Sequence, residues 1–237
     1  MKDDASLFAA IDLGSNAFRL MIGQSVRSRK GLMIQEVKTV REPVRRAEGL
    51  DGGALDTLAL DRGWQALARF GKKLRGFEPG RVRAVATSAV READNAQLFL
   101  ASAERHLGFR IDVISGHEES RLVYARVAHA LPRVADMRLV VDIGGRSPEL
   151  ILGQGSQPLL TESIAIGSGT LSARFFRGGE ISPGALQEAE RVAILEFETV
   201  ARRYRAQGWQ QTIGSSGTAR MLAKVLKANR LNDFGED

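Results

Sequence analysis

Between Phe8 and Gly23 the chain reads FAAIDLGSNAFRLMIG: two short apolar runs, broken where Asp12 leads into Gly14, Ser15 and Asn16. Asp, Gly, Ser and Asn favour turns, so the pattern predicts two strands joined by a tight bend. LMIQEVKTVRE, residues 32–42, reads as a third strand. Leu60, Trp64, Leu67 and Leu74 then recur at helical spacing in ALDTLALDRGWQALARFGKKL. VRAVAT (82–87) and RIDVIS (110–115) are short strand patterns, each followed by a helical one, so the predicted order is βββαβαβα.

The same order begins again further on. Residues 12–23, DLGSNAFRLMIG, align without a gap on residues 142–153, DIGGRSPELILG, at an offset of 130. VATSAVR (85–91) likewise resembles IGSSGTAR (213–220). Two matches at nearly one offset predict an α/β protein of two duplicated subdomains, 1–134 and 135–237, each built on a mixed sheet. In the second, RLVVDIG, PELILG and LLTESIAIG are three strands. A long helix follows, with Ser182 as N-cap, Pro183 at its first position and Gly208 at its end, and with Leu186, Ala189, Ala193, Phe197, Val200 and Tyr204 on one face. QQTIG and TARMLAKVLKA supply one more strand and helix, and the repeat then predicts that a final strand and helix are lacking.

Composition narrows the chemistry. The chain has 237 residues, 43% of them hydrophobic, enough for one large domain or two smaller ones. It contains no cysteine, which excludes disulfides, thiolate metal sites and a thiol nucleophile, and fits a cytoplasmic protein. No stretch approaches the ~18 uncharged apolar residues of a membrane span, and no membrane partner is expected. The formal charge of +6 comes from 27 arginines against only 7 lysines, and the arginine fork suits phosphate oxygens. No basic block or basic-aromatic alternation points to nucleic acid.

A single Asp-x-Gly bend is an ordinary hairpin turn; two at matched offsets in a duplicated chain suggest a shared site facing across a cleft. Glycine lets backbone N–H groups approach an anion. Ser15 and Ser147 add hydroxyl donors, whereas Asp12 and Asp142 would repel phosphate unless a cation lies between them. Mg2+ fits that role, since it takes one or two carboxylates and completes its shell with water and phosphate oxygens. GSSGT, with Gly214, Ser216 and Gly217, lies between a strand and a helix and is a third anion-suited loop. In ISGHEES a helix opens with Glu118 and Glu119: acids there favour the helix dipole, and a carboxylate there can also orient and deprotonate water. The three histidines offer no metal spacing and no triad.

Taken together, AAIDLGSNAFRLMI, EPVRRAEGL, ATSAVREADN, ISGHEESRLVY, VVDIGGRSPELILG, RFFRGG and GSSGTAR resemble the exopolyphosphatase and guanosine pentaphosphate phosphohydrolase (Ppx/GppA) family of the actin-like, ribonuclease H-like ATPase superfamily. The resemblance implies two actin-like subdomains and a Mg2+-dependent phosphohydrolase acting on the ends of inorganic polyphosphate or on pppGpp, working as a homodimer. It implies Glu119 as the catalytic carboxylate and Arg91 as a phosphate ligand. Asp142 and Glu149 fall on its magnesium-associated acids, joined here by Asp12. Gly14, Ser15 and Asn16, and then Gly144, Gly145 and Ser147, fall on its phosphate-contacting loops. Where the family commonly has a third glycine followed by Ser-Thr, this chain has Arg146, Ser147 and Pro148. Arg146 adds a phosphate fork or crowds the loop, and Pro148 lacks an N–H. A reading of another class is a polyphosphate- or nucleotide-binding fragment impaired in turnover by its shortened second half.

Overall fold

The computed structural model describes residues 7–28, 31–44, 50–51, 53–132 and 135–231. Strand β1 (Leu7–Leu13) alternates strictly over its last five residues, with Ala9, Ile11 and Leu13 buried and Ala10 and Asp12 exposed. That two-residue period places the Asp12 carboxylate away from the core. β2 (Ala17–Ser28) turns back on β1 and buries Phe18, Leu20 and Ile22 beside them. β3 (Gly31–Pro43) completes an antiparallel trio, and β6 (Val82–Ala86) and β7 (Ile111–Val113) extend it in parallel, giving the order β3-β2-β1-β6-β7. A two-residue hairpin, β4 (Leu50–Asp51) with β5 (Ala54–Leu55), stands outside the predicted order. Arg45 and Arg46 of the EPVRRAEGL motif lie outside the described residues.

Helix α1 (Thr57–Lys73) is capped by Asp56, whose side chain accepts from the Ala59 N–H at 2.6 Å. Its buried face, with Leu60, Leu67 and Phe70, is the one its spacing predicts. After the single turn of α2 (Ser88–Arg91), α3 (Ala96–Leu107) lies against α1 and buries Phe99, Ala103 and Leu107. The two helices approach closely because α1 carries glycine at the contact. A Cβ on Gly71 would stand 2.7 Å from the carbonyl oxygens of both His106 and Leu107.

In the second unit β8 (Met137–Ile143), β9 (Pro148–Gln154) and β10 (Gln157–Ser163) repeat the antiparallel trio, and β11 (Gln211–Ser215) joins β8 in parallel, in the order β10-β9-β8-β11. Among the described residues this sheet has four strands where the first has five. Helix α4 (Gly116–Ala130) covers one face: Tyr124 and Val127 bury against Val140 and Ile151. On the other face α6 (Pro183–Gln207) sets Phe197, Val200 and Tyr204 against Leu139, Leu150 and Leu152, and the Tyr204 hydroxyl donates to the Leu150 carbonyl at 2.7 Å. Its Ser182 cap and Gly208 end are where the sequence puts them. Leu186, expected on the packed face, is 44% exposed. A helix of this length spans about 37 Å and the seven-residue strands about 23 Å, so its first turns overhang the sheet. α5 (Ser168–Phe175) has no counterpart in the predicted order, and α7 (Ser216–Ala228) follows β11 directly.

By contact the chain divides into Met1–Ser115 and Gly116–Asp237. The repeat restarts at residue 135, but α4 precedes that point and packs on the second sheet. Among the described residues no helix is long and apolar enough to cross a membrane.

Replacing Gly71 by Ala forces α3 off α1, since neither carbonyl can move without its helix. A loss of about 1–3 kcal/mol is expected in denaturant unfolding of Gly71→Ala. Wild-type stability would show that the helices give way freely.

Candidate phosphate site

Both predicted bends lie where parallel strands end, the edge at which open α/β sheets bind ligands. In the first unit Gly14, Ser15 and Asn16 link β1 to β2, with Leu13 beside Ala86 of β6, and Ala86 beside Val113 of β7. Ser15 is buried, its Oγ 3.5 Å from the Ser88 Oγ at the start of α2. The Asn16 carbonyl accepts from the Val44 N–H at 2.9 Å. Arg91, at the end of α2, donates to the Ile114 carbonyl at 2.8 Å, fixing the guanidinium beside the C-terminal end of β7. The cross-strand neighbour of Asp12 is Arg19.

In the second unit the corresponding pair is Asp142 and Glu149. Arg19 and Glu149 occupy the same place in the aligned repeat, so one substitution turns an acid-base pair into two acids on one face. Like charges directly opposite on a sheet are unfavourable. Glu149 is only 3% exposed, and its Oε1 accepts from the Ser147 Oγ at 2.6 Å and the Ser163 Oγ at 3.1 Å. Burial and then the negative charge of Glu119 push its carboxyl up to about 8. Asp142 adds a smaller upward push, and the two serine hydroxyls pull the other way.

Glu119 therefore belongs to the same cluster, in the first turn of α4, with its Oε2 shut off from solvent. Its neighbour Glu118 is engaged elsewhere, gripped at both oxygens by Arg121 at 2.7 and 2.8 Å. The structure thus separates two glutamates that are equivalent in sequence. His117 makes a 2.6 Å hydrogen bond between its Nδ1 and the Thr161 Oγ1 of β10, tying the start of α4 to the sheet.

The bend itself runs through Gly144, Gly145, Arg146 and Ser147. A Cβ on Gly144 would stand 2.6 Å from the Ser147 carbonyl oxygen, and one on Gly14 would stand 3.1 Å from that of Ala17, so the two bends fold alike. Arg146 is half-buried, and Pro148, the first residue of β9, sits where a missing N–H is tolerated. Beside the bend Ser215 of β11 neighbours Asp142, and α7 begins at Ser216, so Gly214, Ser216 and Gly217 share this edge. Ser216 holds φ at 103°, a conformation that strains a side-chain-bearing residue. Sequence reasoning missed Ser88, Ser163 and the residues entering α5. Ser88 lies within VATSAVR, whose match to IGSSGTAR carried the signal, while Ser163 and the α5 entry show no local pattern.

The Glu149 shift gives a stability signature. Below its ordinary value of 4.5 both folded and unfolded chains hold the proton, and Glu149 contributes no pH dependence. Between 4.5 and about 8 the unfolded chain has lost that proton while the folded chain keeps it, so rising pH favours unfolding; above 8 the effect is constant. Without divalent cation, wild type should lose stability relative to Glu149→Gln across this window, at up to about 1.4 kcal/mol per pH unit. Denaturant unfolding at several pH values reads the difference, and parallel profiles would contradict it.

The sequence profile of the Ppx/GppA phosphatase family matches residues 25–234. An exopolyphosphatase from Cytophaga hutchinsonii ATCC 33406 is 26% identical, with a TM-score of 0.85 over 97% of this chain and 73% of that chain. An exopolyphosphatase-like protein is 28% identical, with a TM-score of 0.81 over 91% of this chain and 67% of that one. A type IV pilus biogenesis complex, PilM–PilN, shares the fold at 17% identity and a TM-score of 0.53, over 94% of this chain and 85% of that chain. With two repeated α/β units, an acid cluster at a glycine bend and a family match over most of its length, the chain belongs to the Ppx/GppA phosphatase family.

Proposed function

We propose that the chain is an exopolyphosphatase, releasing the terminal phosphate of inorganic polyphosphate by attack of a water that Glu119 orients and deprotonates. The observation that carries this reading is the pairing of Asp142 with Glu149 across two strands beside the 144–147 bend, with the charge of Glu119 acting on Glu149. The Glu119 carboxylate, one oxygen of which is shielded from solvent, is the assigned proton acceptor. Water adds to the terminal phosphorus, the bridging P–O bond breaks, and the shortened chain leaves with the electrons of that bond. The bend amides, that of Ser147 included, and the start of α7 supply donors for the phosphoryl oxygens. In the first unit Gly14, Ser15, Asn16 and Arg91 are assigned the same task. The relatives named as exopolyphosphatases support the substrate, with pppGpp the alternative within the same chemistry.

Mg2+ fits the donor set. Among the described residues no three His, Asp or Glu side chains converge as a complete metal site. One or two carboxylates suffice for Mg2+ when phosphate oxygens and water fill its shell, and the cross-strand pair Asp142 and Glu149 offers hard oxygen ligands on one face. When bound there the ion supplies neutralising charge; Asp12 is assigned to the same role.

Glu119→Ala should lower phosphate release from long-chain polyphosphate by about 100-fold or more while polyphosphate binding persists. Glu118→Ala, whose carboxylate is gripped at both oxygens by Arg121, should stay within about threefold. Phosphate-release assays in Mg2+ on polyphosphate and on pppGpp, repeated after chelation, read both variants. Unchanged turnover in Glu119→Ala would refute the assignment.

A further inference from the structure

We propose that Gly167–Thr170, the turn that opens α5, is the positioning element that aims the amides of the 144–147 bend at phosphate. The inference rests on the phosphate-binding role given to that bend above. Three successive carbonyls of the bend are occupied from one side. The Gly144 carbonyl accepts from the Ser168 N–H at 3.0 Å and the Ser168 Oγ at 3.2 Å. That of Gly145 accepts from the Gly169 N–H at 2.7 Å and the Thr170 N–H at 3.2 Å, and that of Arg146 from the Gly167 N–H at 2.6 Å. Every peptide bond described is trans. In a trans peptide the N–H points opposite to the C=O of the same unit. Three carbonyls held towards α5 therefore turn the N–H groups of Gly145, Arg146 and Ser147 to the opposite side. Consecutive N–H groups aimed one way form an anion-binding concavity.

The approach needed for this explains Gly167. Its φ of −65° and ψ of 171° are open to any residue, so backbone freedom is not the reason for glycine here. A Cβ at this position would lie 2.4 Å from both the N and C atoms of Arg146 and 2.5 Å from the Gly145 carbon. Only glycine lets the turn sit against the bend. The strand leading into it fastens the rest of the site: Thr161 holds His117, Ser163 holds Glu149, and the Ile164 N–H donates to the Pro148 carbonyl at 3.0 Å. One continuous segment, 161–170, thus sets the first turn of α4, the buried acid and the direction of the bend amides.

The test uses Gly167→Ala and Ser168→Ala in the full chain. Inorganic triphosphate binding in Mg2+ is measured by calorimetry with Glu119→Gln added to block turnover, and KM and kcat for polyphosphate are measured without it. Gly167→Ala should weaken triphosphate binding about tenfold or more and raise KM by a similar factor, with kcat within about threefold. Ser168→Ala, which keeps its N–H, should lose about two- to threefold in binding, and Ser168→Thr should restore it. Wild-type affinity and KM in a folded Gly167→Ala protein would overturn the proposal, as would a fall in kcat at unchanged KM. If Gly167→Ala does not fold, Ser168→Ala decides: wild-type binding overturns the proposal and the rescued loss supports it. Failure of the Glu119→Gln chain without either α5 substitution to bind triphosphate would overturn the phosphate reading and this inference with it. Loss only in the α5 variants separates the two.

Discussion

Negative charge gathered round a buried carboxyl is the constraint on which this molecule turns. Glu149 lies almost wholly out of water, faces Asp142 across two antiparallel strands, and feels the charge of Glu119 from a neighbouring helix. Three ionised carboxylates in that space would oppose folding, because desolvation and mutual repulsion both act against charge there. A proton or a cation must compensate. The fold holds the acids together nonetheless, with two serine hydroxyls on Glu149 and an α4 anchored through Tyr124 and Val127. A site that keeps unfavourable charge in place is prepared to receive a ligand that relieves it, as perturbed groups at functional sites do.

Duplication shows how the site became one-sided. Both units carry the same bend, with a glycine pressed against the carbonyl three residues on. Where the first unit sets Arg19 opposite its aspartate, the second sets Glu149. The first bend is thereby left beside a positive side chain, a surface suited to holding anions. The second collects acid, suited to binding a cation and activating water. One repeated frame thus carries opposite cross-strand charges through a single exchange at matched positions.

Much of this was legible before any coordinates. The 130-residue offset located both bends and the strands around them, because buried strands and turn residues leave a short-range pattern. Ser182, Pro183 and Gly208 marked the ends of α6, since caps are local chemistry. The packed face of that helix was readable except at Leu186, where periodicity cannot tell how far a helix outruns its sheet. Gly167 was opaque: its reason is the backbone of Arg146 against it, a contact no spacing rule encodes. The resemblance singled out Glu119, but local chemistry alone does not divide it from Glu118, because both favour a helix N-terminus and tertiary neighbours separate them. Which sheet α4 covers is likewise a matter of packing and not of pattern.

The most direct test of the account is a carbon-13 NMR titration of the Glu149 side-chain carboxyl in the cation-free protein, assigned by comparison with Glu149→Gln. The account predicts an apparent titration near pH 8, moving towards the ordinary carboxylate range when Glu119→Gln removes the neighbouring charge. A Glu149 carboxyl that titrates near 4.5 in the folded chain, indifferent to Glu119, would contradict it.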